Sequence, residues 1–484
     1  MFINLSIFIL SYIFILSAVI GYGFLVTRYI PKLKISNNLG YIGLIGLFFL
    51  IIYSYISSFF LKHGYLHNSI LLIIGFLGFC FFLSKYYKKN SNQLFYLSIV
   101  FLVISFASII YKMHDDFPYY HFPYSYLLTQ NNFIIGLGQL NLGFRTPSSI
   151  FYLNSIFYLP GIKFYTFIMP AILVLGFTNL ILFLRIKKSF KSNSINFITF
   201  FNLLSIIFIN IFFYRIGEHG TDRTAQILIL LLVSEILIFL TSRKLQGNTL
   251  SKIYLIIGLI ISFKAFYVLY LIFPFVLFIK TAREKTLVNS ILFFIKNSFF
   301  IPFSLIILLI IINYFFNTGC LLYPVSFTCF ENLAWAVSKA EVIGLNNWYE
   351  QWSKAGAGPN FRVENPEEYI KFFNWVPNWF DEYFFNKVSD FLLGILFLSA
   401  IFSLFFYSSK KKFKKFPNIK ILIIILFILL FEWFYNHPSL RYGGYSLIAS
   451  LVFLFLSIKC DNNTLTNKNL FKRFDILILI TITI

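Results

Sequence analysis

Residues Ile70-Leu-Leu-Ile-Ile-Gly-Phe-Leu-Gly-Phe-Cys-Phe-Phe-Leu-Ser84 form an uncharged apolar run; Lys85, Lys88 and Lys89 follow at once, and a second apolar run extends from Leu94 to Tyr111. An apolar, cationic, apolar sequence of this kind reads as two membrane spans joined by a short basic loop. The same grammar extends in both directions. Before it lie apolar runs at Leu5 to Val26 and Leu39 to Leu61; after it come Phe167 to Leu184 and Ile195 to Tyr214. The second half adds Ala225 to Thr241, Ser298 to Phe316, Phe391 to Ser408, Ile421 to Tyr435 and Tyr445 to Ile458. A short pair, Ile253 to Phe263 and Ala265 to Ile279, is interrupted by Lys264 and reads as a hairpin whose tip points outward, a broken or re-entrant element lining a cavity. Ile476 to Ile484 is too short to cross. The expected fold is an all-α, polytopic membrane helical bundle of about 12 to 13 spans.

Composition agrees. Of 484 residues, 59% are hydrophobic and 12% charged, which suits a bilayer better than water. The net charge of +22 is not a nucleic-acid footprint, because the basic residues fall in short clusters between apolar runs. Clusters at Arg28/Lys32/Lys34, Lys85/Lys88/Lys89, Arg185/Lys187/Lys188/Lys191, Arg243/Lys244/Lys252, Lys280/Arg283/Lys285, Lys410 to Lys415 and Lys468/Lys472/Arg473 fall on one side when the spans alternate. That side is expected to be the cytoplasm of a plasma (inner) membrane protein. The amino terminus reads as a first span and not as a cleaved leader. The high aromatic share, 21%, decides nothing alone, and neither a phosphate-binding glycine loop nor a dinucleotide fingerprint occurs.

The opposite side then receives the chemically useful residues, including all six histidines, His63, His67, His114, His121, His219 and His437. The units are membrane helices 1–111, an external loop 112–166, central helices 167–316, a large external loop 317–390 and C-terminal helices 391–484. The first loop opens with His114-Asp115-Asp116-Phe117-Pro118-Tyr119-Tyr120-His121. Two adjacent carboxylates at a membrane edge can raise a pKa toward that of a general base or hold a divalent cation, and equally they suit a plain solvated loop. Farther on, a Gly/Pro-broken stretch containing Arg145 leads into apolar Ile150 to Leu159, read as an interfacial helix or as ordinary packing.

Asp115-Asp116-Phe117-Pro118-Tyr119 resembles the acidic-pair-then-tyrosine element in the first large external loop of GT-C glycosyltransferases, among them lipid A aminoarabinose transferases and protein mannosyltransferases. In typical members that loop follows the first span; here it follows the fourth. The resemblance implies transfer of a sugar from a polyprenyl-phosphate carrier in the membrane to a glycan, lipid or protein acceptor. It places Asp115 as catalytic base with Asp116 assisting, and Tyr119 and His121 beside the substrate.

Elsewhere the outer loops supply binding candidates. Arg215, Glu218, His219, Asp222 and Arg223 crowd one short loop; they suit a phosphate, sugar or metal site, and equally a helix-capping ion-pair cluster. Lys264, His437, Arg441 and Tyr442 offer further grip on a phosphate, with snorkelling as the alternative for the cations. The 317–390 loop carries Trp348, Trp352 and Trp375, expected to stack on sugar faces or to form an interfacial belt. Cys320 and Cys329, close in sequence on an oxidising side, should pair. These residues single out no definite cofactor, a divalent metal is compatible with them, and nucleic acid is not expected as a partner. The function expected is a membrane glycosyltransferase of cell-envelope glycan synthesis. The alternatives are an O-antigen type polymerase or ligase, which leans on Arg and His, and a lipid-linked glycan flippase or transporter.

Overall fold

The structure, a computed structural model, describes residues 5–33, 35–109, 114–192, 194–213, 221–356, 363, 365–406 and 417–460. The candidates Arg215, Glu218 and His219 and the segment Ile476 to Ile484 lie outside the described residues. Among those described there is no strand, only isolated bridges at Leu159 with Lys163 and Cys320 with Cys329. The helices are α1 (Leu5–Tyr29), α2 (Leu39–Ser58), α3 (Tyr65–Ile109), α4 (Phe122–Gln130), α5 (Leu137–Leu140), α6 (Ser149–Ile156), α7 (Met169–Lys191), α8 (Phe197–Phe212), α9 (Thr221–Thr241) and α10 (Gly247–Phe263). They continue with α11 (Phe273–Glu284), α12 (Leu287–Ile295), α13 (Phe300–Thr318), α14 (Lys339–Lys354), α15 (Pro366–Ile370), α16 (Val376–Trp379), α17 (Ser389–Phe406), α18 (Pro417–Asn436) and α19 (Gly444–Cys460). The chain is an all-α polytopic bundle: nine helical stretches among the described residues are long and apolar enough to cross a membrane, and three shorter apolar helices, α8, α10 and α19, accompany them.

Helix α3 keeps helical hydrogen bonding over 45 residues. A straight helix of that length would reach ~65 Å, twice the hydrocarbon thickness. Contacts with α1 show that it doubles back instead. Phe82 packs on Phe24 and Tyr86 accepts from Arg28 at 3.3 Å, yet Phe101 accepts from Tyr12 at 2.8 Å, near Phe14, which meets Phe76. The first arm therefore runs parallel to α1 and the second antiparallel, with the reversal around Lys85 to Gln93. The two spans read from the sequence are present as the two arms, but the basic loop expected between them is corrected: Lys85, Lys88 and Lys89 are helical, and no coil interrupts α3.

Close packing of α1 depends on small residues: a Cβ on Gly21 would lie 1.8 Å from the Gly75 carbonyl oxygen, and one on Gly23 1.8 Å from that of Ile42. Helix α9 is the pillar of the bundle, with 89% of its most apolar window buried, whereas α13 and α18 are 39% and 33% buried and present Ile301, Leu308, Ile424 and Phe431 outward. Inside the pillar, the fully buried Glu235 pairs with Arg185 of α7 and accepts from Tyr41 of α2; Arg185 also donates to Ser234. An acid in the middle of an apolar helix is tolerable only with such partners.

The ends of the bundle differ. At one, Arg283 donates to Asn418, Gln93 accepts from the Leu39 amide, and Lys280 donates to the carbonyls of Phe239 and Ser242 at the C-terminus of α9, where a cation is favoured. At the other, loop 114–168 and loop 319–388 interlock: Arg145 pairs with Glu341 at 2.7 Å, and Gln139 Nε2 donates to the carbonyls of Ala334 and Ala336; Gly136 N donates to Phe316 O at the end of α13, and Trp379 Nε1 donates to Pro438 O in the turn after α18. The hairpin at Lys264 is corrected in one respect. Its arms are not re-entrant: α10 starts beside Asn297 at the cationic end, and the arm Ala265–Glu284 returns to it.

Candidate functional site

Four segments distant in sequence meet at the end opposite the cationic face. Pro118 opens the turn Phe117–His121, which continues into α4 and places Asp116 and Tyr120 on one side. Asp222 lies in the first turn of α9, where the helix dipole favours an acid. Lys264 is the extended residue capping the C-terminus of α10. Arg441 sits in the turn Leu440–Tyr442, closed by Gly443 at φ 111°; there a Cβ would be strained and would also meet Tyr267 at 3.2 Å. Gln226, one turn along α9 from Asp222, donates to the Arg441 carbonyl at 2.9 Å and accepts from the Ser446 amide, which fastens this turn to the pillar.

The four charges form one chain. Arg441 Nε donates to Asp222 Oδ2 at 3.0 Å, Lys264 Nζ lies 2.9 Å from Asp222 Oδ1, and Arg441 reaches Asp116 Oδ2 at 3.6 Å. Tyr120 donates its hydroxyl to the same Asp116 oxygen at 3.0 Å. Burial alone would raise the Asp116 carboxyl, but Arg441, His114 and the Tyr120 hydroxyl outweigh it and hold the group below the ordinary carboxylate value. The rise expected for an adjacent acid pair is thus reversed. Asp115 is exposed and Asp116 faces cations, so repulsion between the two acids does not set the titration. Arg441 is pushed up by Asp222, Tyr442, Tyr120 and Asp116 against the opposing effect of its burial. His121, buried, is lowered to about 3 by burial and by His114 and stays neutral at physiological pH.

His114, Asp116 and His121 each offer one ligand atom, all within 4.8 Å of one another, and the buried His121 Nδ1 finds no hydrogen-bond partner among the described residues. Two imidazoles and a carboxylate suit a borderline divalent ion. The Arg441 guanidinium on the same Asp116 oxygen works against a second cation there.

An aromatic wall continues from the charges. Arg441 lies 5.5 Å from the Trp352 ring and 5.7 Å from Tyr442; Trp352 meets Tyr442 at 6.0 Å and stacks toward Trp348 at 6.4 Å. Trp348 and Trp352 are both presented by α14, and Trp348 is exposed. Trp375 is corrected: it is completely buried between Trp379, Phe434 and the Lys354 ammonium, which lies over its ring at 5.4 Å, so it has no face for a sugar. His437 packs on Phe266 and Tyr442 and is lowered to about 4, chiefly by burial.

Residues 5–448 match a family described as a domain of unknown function, DUF8201. The chain belongs to this family. No curated protein and no solved structure shows a match.

Within this DUF8201 chain the structure gathers Asp116, His121, Asp222, Lys264, His437, Arg441, Tyr442 and Trp352 around one centre. Other sequence candidates stand apart from it. Tyr119 is exposed, and Arg145 is taken up by Glu341 and the Gly138 carbonyl, tying the two outer loops together; Arg223, half-buried, instead neighbours Asp222 in the first turn of α9. Cys320 and Cys329 are disulfide-bonded beyond the end of α13. Sequence reading did not single out Tyr120 or Gln226. The four-residue spacing of Asp116 and Tyr120 was the available signal for the first; nothing local marks the second.

Proposed function

We propose that the chain is a membrane glycosyltransferase that moves a sugar from a polyprenyl-phosphate carrier to an acceptor on the extracytoplasmic face. The observation that carries this reading is the convergence of Asp116, Arg441, Asp222 and Lys264 beside the Trp348/Trp352 wall. Arg441 and Lys264 offer forked and point-charge donors to the carrier phosphate. As the bond between the sugar carbon and the phosphate oxygen breaks, the electron pair and its charge move onto that oxygen, where fixed cations stabilise the transition state most. Asp116, not the exposed Asp115, takes the proton of the acceptor hydroxyl as the new glycosidic bond forms. Its lowered pKa keeps it ionised and ready to accept, at the expense of basicity. The positive-inside distribution of Lys and Arg supports placing this face outside the plasma membrane.

The test is transfer of radiolabelled sugar from a polyprenyl phosphate sugar in proteoliposomes. Asp116→Asn should lower the rate ~10²- to 10⁴-fold, while Asp115→Asn stays near wild type. Wild-type transfer by Asp116→Asn ends the assignment of the base. A polymerase or ligase reading is favoured by one observation, the placing of Arg441 with His437 against the same Tyr442 ring; it predicts that Asp116→Asn survives and Arg441→Gln does not.

A further inference from the structure

The cationic end holds a second concave feature, remote from the charge chain just described. A groove of about 1160 Å³ opens between the start of α10, the end of α11, and α12 with the turn that leads into α13. Lys32, Arg283, Lys285 and Lys296 line it, together with the amides of Asn289 and Asn297. Its carboxylate, Glu284, lies 3.6 Å from Lys280 and so subtracts little from the positive field. The floor is fixed: Asn297 donates to the Gly247 carbonyl at 3.0 Å and accepts from Ser251 and from the Phe299 amide. Lys285 is held over the Phe293 ring at 4.8 Å, with its ammonium group still available to a ligand.

The depth of this groove is set by α12. Leu287, Val288, Ile291 and Ile295 are 63%, 65%, 43% and 51% exposed and run along one side of the helix, while Ser290 and Phe294 are buried on the other. An exposed aliphatic row on a short helix between two spans lies in the membrane interface, with its row in hydrocarbon and its polar neighbours at headgroup level. The groove therefore sits where lipid phosphates sit, beside an apolar track that acyl chains can follow. Basic pockets between helices on the cationic side of a membrane protein recognise anionic headgroups.

We propose that this groove is a binding site for the phosphate headgroup of an anionic membrane lipid, with the acyl chains lying along the outer row of α12. The site does not depend on the transferase reading, and its test uses no transfer assay. The purified full-length protein is loaded with dioleoyl phosphatidylglycerol or, in parallel, with dioleoyl phosphatidylcholine, and retained lipid is counted by native mass spectrometry. The expected result is selective retention of phosphatidylglycerol that weakens with salt. Replacing Lys32, Arg283, Lys285 and Lys296 by Gln should lower its affinity about tenfold or more. A control changing Lys188, Lys191, Arg243 and Lys244 to Gln, exposed on the same face, should leave it unchanged. Should the quadruple variant fail to fold, Lys285→Gln and Lys296→Gln singly should each lower retention severalfold. Equal loss in the control, equal retention of phosphatidylcholine, or displacement of the lipid by millimolar inorganic phosphate would overturn the proposal.

Discussion

Asp222→Asn is the sharpest perturbation of the charge chain. The carboxylate is 9% exposed and binds a different cation with each oxygen, Lys264 at 2.9 Å and Arg441 at 3.0 Å. Removing one partner of a fully buried pair costs ~3–5 kcal/mol, because the other charge is left unpaired. Here Lys264 and Arg441 are 25% and 31% exposed, and Arg441 keeps Asp116 at 3.6 Å, so water and the second acid recover part of the loss. The expected destabilisation is about 2–3 kcal/mol. Equilibrium unfolding in detergent, followed by tryptophan fluorescence, measures it; Trp352 lies against Arg441 and reports on the site. The decisive variant is Asp222→Asn combined with Lys264→Gln. If the cost arises from a stranded ammonium, the double variant falls short of the sum of the singles by ~1 kcal/mol or more. Additivity within ~0.5 kcal/mol would refute the account and leave Asp222 and Lys264 as independent surface charges.

Other expectations follow from the same geometry. Cys320 and Cys329 should resist maleimide until reduced, and their replacement by Ser should cost about 2–3 kcal/mol through the loss of a short closed loop; labelling without reductant would refute the pairing. His63, His121 and His437 are lowered to about 3, about 3 and about 4, so the unfolded chain takes up protons below ~6.5 that the folded one refuses; stability contributed by these groups is complete above that pH and falls as pH drops from about 6.5 toward 4. A pH-independent unfolding midpoint between 7 and 5 would contradict their burial. Asp116, with its lowered pKa, contributes no slope in that interval, since its share is lost only as pH falls through the ordinary carboxylate range and below. In a background without Cys80 and Cys460, cysteines at Asp115, Phe327 and Trp348 should be labelled in intact cells by an impermeant reagent, and cysteines at Lys89 and Lys285 only after permeabilisation. Labelling of Lys285→Cys from outside would invert the topology.

The spans were legible because each is an apolar run bounded by charge, a signal that needs no tertiary information. Even the arms of α3 were separable, as Lys85, Lys88 and Lys89 mark the reversal; what could not be read is that the helix carries on through it. The site was legible as a set of residues and not as a set of contacts. Arg441 and Asp222 are 219 positions apart, and no local pattern pairs them. That Asp116 and not Asp115 faces Arg441 and Tyr120 depends on how the chain enters the turn Phe117–His121, which side-chain chemistry does not encode. Trp375 was misread because composition cannot tell a ring that offers its face from one wholly enclosed. Glu235, an acid inside an apolar run, has two partners, Arg185 and Tyr41, from helices far away in the chain, which no local pattern signals.

That last pair gains meaning beside the outer one. Helix α9 is anchored by two ionic bolts, one in its first turn, Asp222 to Lys264 and Arg441, and one within its apolar stretch, Glu235 to Arg185. A piston stroke of one helical turn, ~5.4 Å, would shear both bolts at once, and a rotation about the axis would do the same. The pillar is therefore built as a stator: any sliding or turning of α9 against α2, α7 and the Lys264 and Arg441 turns has to break these contacts.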